Sequence, residues 1–180
     1  MEKLKIVAIA SVKVSREDDA GIEILDYIFP YDSKAKYVKT SFPGIILILS
    51  KLNSDRVMEM LKDRIISKAY RIVPIQRLIK IDLNGIINTV IELASKIKGE
   101  VKFKVECKLR GVKSIERNII VKEIAEKLKE KWGWIVDLEN PEYIVTIEGI
   151  GENVGISVVR RENIWNRSRF IKRFHEYFQL

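Results

Sequence analysis

A strict alternation of apolar and polar residues from Val101 to Leu109 is the feature that most restricts how this chain can fold. Successive side chains of a β-strand point to opposite faces, so this spacing predicts a strand with one buried face. The other face carries Lys102, Lys104 and Lys108. The strand therefore needs a core on one side and presents strong positive charge on the other.

A helix is predicted directly after this strand, over about residues 115–131. Ile120, Ile124 and Leu128 recur at helical spacing, and Gly133 is suited to end the helix. Further elements of the same unit are a helix capped by Asp82 and closed by Gly99, short strands over 134–136, 143–148 and 154–159, and a Gly-rich hairpin turn at 149–153.

The first seventy residues predict the order strand, helix, strand, strand, helix, strand. The run IILIL, Ile45 to Leu49, predicts a strand buried on both faces. The other predicted elements are strands over 4–12, 36–39 and 69–73, a helix capped by Ser15 that ends at Pro30, and a helix capped by Ser54. This order indicates a ferredoxin-like α+β unit.

Basic residues gather where the alternating strand ends and the next helix begins. An anion near that helix start would meet unpaired backbone N–H groups and the positive end of the helix dipole. Lys108, Arg110 and Arg117 would then stand around one phosphate-sized site. Judged by charge alone, a solvated face on a basic protein explains these residues equally well.

The overall charge limits the classes of partner. There are 33 basic and 25 acidic residues, a net charge of +8, which favours an anionic partner: nucleic acid, an anionic membrane or an acidic protein. The longest apolar run has five residues, Ile45 to Leu49, too short to span a bilayer, and no signal peptide is recognisable. With a single cysteine as well, we expect a cytoplasmic protein that does not bind membranes.

Groups able to perform catalysis do not converge. The only histidine, His175, lies near the C-terminus, and Cys107 falls on the buried face of its strand, where apolar surroundings keep a thiol protonated. One cysteine and one histidine do not make a usual zinc site. We therefore predict no catalytic residue, no metal and no cofactor.

Several separated segments together resemble the THUMP domain, an RNA-binding module attached to tRNA-modifying enzymes. They are Phe103–Gly111, Glu116-Arg117, Val136–Leu138, Asn140-Pro141 and Gly155–Val158. The resemblance covers roughly residues 75–160. Pro43–Ile46, with Ile72–Ile75, resembles the branch of the family that stands alone as a tRNA acetylation adaptor.

The resemblance implies an α+β protein with an N-terminal ferredoxin-like domain over 1–74 followed by an α/β THUMP domain with a mixed sheet over 75–160. The remaining residues, 161–180, form a basic, aromatic tail that we predict to be helical. It also implies a non-catalytic protein that grips the acceptor end of tRNA and presents it to a separate RNA cytidine acetyltransferase for N4-acetylcytidine formation. The expected phosphate contacts are Lys108, Arg110 and Arg117, supported by Arg160 and Arg161 and extended by Arg77 and Lys80.

Two other functions remain open: a small RNA-modifying enzyme with an unrecognised site, and a protein-interaction scaffold with a basic face. The tail suits an amphipathic helix that docks on its own chain, lies along RNA, or binds the partner enzyme or a second copy in a homo-oligomer. Its basic and aromatic residues are Trp165, Arg169, Phe170, Lys172, Arg173, Phe174 and Tyr177.

Overall fold

The structure, a computed structural model, describes residues 3–178 of the 180-residue chain. It contains two compact units, one formed by the chain up to Pro74 together with the segment from Glu162 onward, and one formed by Ile75–Arg161. Each unit has a five-stranded sheet with helices, which confirms the predicted α+β class. Among the described residues, every helix is too short or too polar to cross a membrane.

The first unit has the predicted ferredoxin-like order. Its elements are β1 (Lys5–Val12), α1 (Glu17–Ile28), β2 (Lys36–Lys39), β3 (Ile45–Ser50), α2 (Ser54–Leu61) and β4 (Ala69–Pro74). The strands lie in the order β4-β1-β3-β2, and all neighbouring pairs are antiparallel.

The helices of this unit cover one face of the sheet. Ile46 and Ile48 of β3 are fully buried in a core that also contains Ile24 of α1 and Leu61 of α2. The alternate residues of β3 are only half-buried. The expectation that Ile45–Leu49 is buried on both faces is therefore wrong, because an antiparallel sheet packed by helices on one side needs only one apolar face.

Two predicted helix caps are also wrong. Ser15 lies in the left-handed region with φ 64°, and no side chain caps α1, which begins after Arg16. Asn53, not Ser54, caps α2: its side chain accepts a hydrogen bond of 2.8 Å from the Arg56 N–H. Both residues of the Asn-Ser pair suit a cap, so composition alone does not decide which one begins the helix.

The C-terminal segment adds a fifth strand to the first sheet. It forms β10 (Trp165–Asn166), which pairs with β4, and α5 (Arg167–Phe178). Trp165 is buried, and its Nε1 donates a 3.0 Å hydrogen bond to the carbonyl of Arg64. The helix was predicted and the strand was not. The side chains of Phe170, Arg173, Phe174 and Tyr177, which the amphipathic tail prediction used, lie outside the described residues.

The second unit has the predicted mixed sheet. Its elements are β5 (Arg77–Lys80), α3 (Leu83–Ala94), β6 (Lys102–Arg110), α4 (Arg117–Trp132), β7 (Ile135–Val136), β8 (Tyr143–Ile150) and β9 (Asn153–Arg160). The strand order is β5-β9-β8-β6-β7; β6 runs parallel to both of its neighbours, and β9 runs antiparallel to both of its neighbours. A 3-10 turn (Arg161–Asn163) follows.

The alternating strand packs as predicted. Phe103 and Cys107 of β6 are buried in one core with Ile120, Ile124 and Leu128 of α4. Gly133 ends α4 in the left-handed conformation, φ 66°, and the Asp82 side chain caps α3 at the N–H of Gly85. Gly99 does not close α3, which ends at Ser95, because the last turn is already completed by Ser95 N–H bonding to Ile91.

Candidate nucleic-acid interface

The start of α4 lies at the carboxyl end of β6, as the sequence predicts for the proposed phosphate site. The two elements are tied together because Nε of Arg117 donates a 2.9 Å hydrogen bond to the Cys107 carbonyl. No side chain caps the helix at Glu116, so the first N–H groups of α4 have no capping side chain among the described residues. This end of the sheet combines a helix start with several cations.

Arg110 is held by an internal ion pair. Its Nη1 lies 2.7 Å from Oε2 of Glu148, and the two side chains are only 18% and 5% exposed. β6 and β8 are parallel and in register, which places Glu148 directly beside Lys108 and two residues from Arg110. The Arg110 guanidinium therefore neutralises a buried carboxylate, and little of its charge is available to an external anion.

Lys108 and Lys113 are the open cations of this end. Both are exposed, and neither side chain makes an ion pair or hydrogen bond to any residue that the structure describes. Lys113 was not among the predicted contacts. Its position in the loop between β6 and α4, beside the predicted site, was the sequence signal that could have identified it. Arg117 is also exposed, apart from its bond to β6.

These cations surround the strand end and do not converge on one point. Cys107 faces the core beneath α4, so Lys108 points to the opposite face of the sheet, away from Arg117. The prediction of a single phosphate-sized site made by Lys108, Arg110 and Arg117 is replaced by a basic rim of Lys108, Lys113 and Arg117. A rim of this kind suits several backbone phosphates of a nucleic acid.

The register of the sheet separates the other predicted contacts. Lys80 pairs with Asn153, opposite Ile150, and so lies at the same end as Arg110. Arg160 pairs with Tyr143 at the opposite end of the eight-residue strand β9, about 23 Å from Asn153. The structure thus places Lys80 at the same end of the sheet as the basic rim, three strands away from β6, and places Arg160 and Arg161 at the far end.

All four of these predicted contacts already have partners in the protein, with Arg161 donating to the Glu139 carbonyl. Arg77 Nη2 lies 2.8 Å from Glu92, and Lys80 lies 3.2 Å from Glu152, in exposed ion pairs. The guanidinium of Arg160 stacks over the Tyr143 ring, 5.3 Å from its centroid. Exposed pairs of this type are weak, so these side chains can leave their partners and bind a phosphate. The buried Arg110–Glu148 pair is much harder to break.

The first unit has a groove of about 390 Å³ between α1 and α2. The guanidinium of Arg56 stacks over Tyr31, and that of Arg64 stacks over Tyr27. The lining also includes Glu59 and Asp63, so its two cations are balanced by two carboxylates. The groove therefore has no net attraction for a polyanion.

The two reactive groups named in the sequence analysis lie in different units, Cys107 in the second unit and His175 in the C-terminal segment of the first. Burial raises the pKa of the Cys107 thiol to about 11, so the thiol is protonated at neutral pH. His175 is exposed on α5. Among the described residues, no three His, Cys, Asp or Glu side chains are placed to hold a metal ion. Trp134, 1% exposed, packs against Phe103 in the core, where its ring is not available for base stacking.

Comparison with known proteins bears on the second unit above all. The sequence profile of the THUMP domain matches residues 81–159. Among curated proteins, none matches the sequence.

Solved structures with a similar fold cover 86–87% of this chain, so the likeness is not confined to one unit. They include PH1313 from Pyrococcus horikoshii Ot3 (TM-score 0.63, 17% identity, 55% of that chain), TrmN from Thermus thermophilus (0.61, 16%, 45%) and a 4-thiouridine synthetase in complex with RNA and ATP (0.58, 18%, 42%). The chain spans about half the length of these structures, and at such identities the likeness shows the fold alone.

The profile match and the predicted elements coincide. The matched range begins at the start of α3 and ends within β9, and it contains the alternating strand, the basic rim and the Asp137–Pro141 loop. Residues 81–159 of this chain match the sequence model of the THUMP domain.

Proposed function

We propose that this chain is a non-catalytic tRNA-binding protein that presents tRNA to a separate RNA cytidine acetyltransferase, which forms N4-acetylcytidine. A THUMP domain implies RNA binding in tRNA modification. The observation that carries the proposal is the basic rim of that domain, in which Lys108 and Lys113 are exposed and make no ion pair with any described residue.

The rim suits RNA on electrostatic grounds. Phosphate contacts by lysine and arginine release condensed counterions, and this supplies most of the affinity that does not depend on sequence. RNA helices are recognised largely by shape and through backbone contacts. A rigid strand end with cations on both faces of the sheet can therefore follow a curved backbone without reading bases. We propose the acceptor end of tRNA as the bound region, as the family resemblance implies.

A separate enzyme fits the chemistry of the described residues. The Cys107 thiol is buried and protonated, and it lies far from the exposed His175 in sequence. Acetyl transfer needs a placed base and a site for the acetyl donor. The adaptor role assigns that chemistry to the acetyltransferase and assigns tRNA positioning to this chain.

A salt titration with whole tRNA tests the RNA-binding half of the proposal. Wild-type protein is compared with Lys108→Ala/Lys113→Ala and with a matched control, Lys96→Ala/Lys98→Ala. The control also removes two exposed lysines without described partners, but from the loop that precedes β6. Each lost phosphate contact should reduce the slope of log K against log salt by about 0.7 to 0.9. Fluorescence anisotropy measures the slopes.

Equal slopes for the rim variant and wild type would reject the rim as the RNA site. Binding to tRNA trimmed of its 3′ end tests the acceptor-end assignment, because affinity should fall only if that end is gripped. The acetylation half is tested by mass spectrometry of nucleosides after tRNA is incubated with acetyl-CoA. Product should require both proteins; product from this chain alone would establish the alternative, a small RNA-modifying enzyme.

The protein-scaffold alternative is separated by combining ribonuclease treatment with the tRNA titration. A scaffold would bind the acetyltransferase after ribonuclease treatment and show no salt-dependent affinity for tRNA, whereas the adaptor must bind tRNA. Oligomerisation through the tail stays a prediction, and it concerns α5 alone. Ile164 and Trp165, which precede α5, are buried in the first unit and are not available to a second copy.

A further inference from the structure

The THUMP sheet has two free edges, β5 and β7, and the β7 edge exposes an apolar surface. Ile135, Val136 and Leu138 are 47%, 50% and 68% exposed. Three large apolar side chains within four residues are a local concentration, whereas single exposed apolar residues are normal on any surface. We call these three residues the β7 edge surface.

The loop that carries Leu138 is held in place. The Asp137 carboxylate accepts hydrogen bonds from the N–H of Asn140 at 2.8 Å and of Glu139 at 3.1 Å, and it lies 3.3 Å from Nζ of Lys102. Pro141 then turns back into the protein, where it is buried. A loop fixed at both ends presents Leu138 to solvent at little entropic cost to a binding partner.

The backbone of β7 is also open on its outer side. The N–H groups of Ile135 and Asp137 donate to the carbonyls of Val101 and Phe103, at 3.0 and 2.9 Å. In a parallel strand the intervening residue faces the other way, so the N–H and carbonyl of Val136 point to the free edge. An extended segment can add to this edge by main-chain hydrogen bonds.

The charge of the segment determines which partner fits. Residues 133–142 contain Asp137, Glu139 and Glu142 and no Lys or Arg, within a chain of net charge +8. Asp137 is paired with Lys102, so the exposed carboxylates of the segment are those of Glu139 and Glu142. Both disfavour direct contact with RNA phosphates, and they disfavour a second copy, which would bring the same carboxylates against each other. A protein segment with alternating basic and apolar residues matches both the charge and the exposed side chains.

We propose that the β7 edge surface docks an extended, basic and apolar segment of the modification enzyme; the identity of that partner rests on the proposed function. The surface lies beside Lys102 and Phe103, at the start of β6. The basic rim begins at Lys108, about 17 Å further along the same strand. RNA and enzyme therefore bind at opposite ends of β6 and do not compete.

The test uses two matched substitutions on the full chain. Leu138→Lys places a cation on the β7 edge surface, and Leu78→Lys places one on β5, the other free edge of the sheet, where the leucine is 47% exposed. Purified RNA cytidine acetyltransferase from the same organism, treated with ribonuclease, is the probe. Biolayer interferometry should show at least tenfold weaker binding for Leu138→Lys and a change within twofold for Leu78→Lys.

Each outcome has a separate meaning. Circular dichroism and an unchanged tRNA salt slope establish that Leu138→Lys is folded and that the RNA half of the proposed function is intact. Equal binding of both variants, or no RNA-free binding of wild type, overturns the docking surface and leaves the tRNA result standing. A wild-type dimer in analytical ultracentrifugation that Leu138→Lys abolishes would identify a second copy as the occupant and overturn the proposal. Hydrogen exchange should show protection of residues 134–138 by the enzyme.

Discussion

The two ends of β6 differ in charge, in packing and in the partner that each can accept. At its carboxyl end, Lys108 and Lys113 are exposed cations without described partners. At its amino end, β7 adds exposed apolar side chains and a loop whose charged residues are all acidic. One strand therefore connects a surface of open cations to one of exposed apolar side chains and carboxylates.

The difference shows that a cation's position in the sheet decides its role more than its presence in a basic segment does. Arg110 and Lys108 are two residues apart and were predicted to act together. The first neutralises buried Glu148 and the second is open to solvent. Arg160 and Arg161 belong to the same basic protein but lie at the opposite end, where Arg161 contacts the carbonyl of Glu139.

The largest effect should come from breaking the buried pair at the carboxyl end. Arg110→Ala leaves the Glu148 carboxylate buried without its cation, so we expect a loss of about 3–5 kcal/mol in the free energy of unfolding. Urea denaturation measures it. Arg110→Met/Glu148→Gln should recover much of the loss, because neither residue is then an unpaired charge. Unchanged stability with weakened tRNA binding would instead make Arg110 a phosphate contact.

A smaller effect is expected at the amino end, from the Asp137 loop. The hydrogen bond from the Asn140 N–H, with further contributions from Lys102 and Glu139, lowers the pKa of Asp137. Because the pKa of this carboxyl is lower in the folded state than in the unfolded state, its ionisation stabilises the fold at any pH above the unfolded-state pKa. This contribution is lost as the pH falls through the folded-state pKa. In Asp137→Asn, the free energy of unfolding should therefore fall less steeply as the pH is lowered than it does in the wild type. NMR titration of the carboxyl signal checks it; an ordinary pKa there would show that the loop is loose.

The smallest effect on RNA binding should come from the arginines at the amino end. Arg160→Ala/Arg161→Ala removes the same charge as the rim variant Lys108→Ala/Lys113→Ala. We expect a tRNA salt slope within about 0.3 of wild type, well below the 0.7 to 0.9 expected for one phosphate contact. Anisotropy titrations on all three proteins decide between the ends. A loss as large as that of the rim variant would mean that RNA reaches across the whole sheet.

Sequence signals predicted many elements of the second unit, because the residues that determine these elements are close together in the chain. The alternation in β6, the left-handed Gly133 and the Asp82 cap each depend on neighbouring residues. By contrast, β5 and β10 were missed, since strands of four and two residues exist only through their partners β9 and β4. The Arg110–Glu148 pair spans 38 residues and requires the parallel register of β6 with β8, which no short stretch specifies.

The strand β10 also has a consequence for the order in which the protein matures. Its partner β4 is synthesised about ninety residues earlier, and the whole second unit is translated between them. The second unit is therefore inserted within the first, and it can fold on the ribosome while the sheet of the first unit still has one strand missing. Only when Trp165 emerges is that sheet complete, so the protein is assembled from the middle outward.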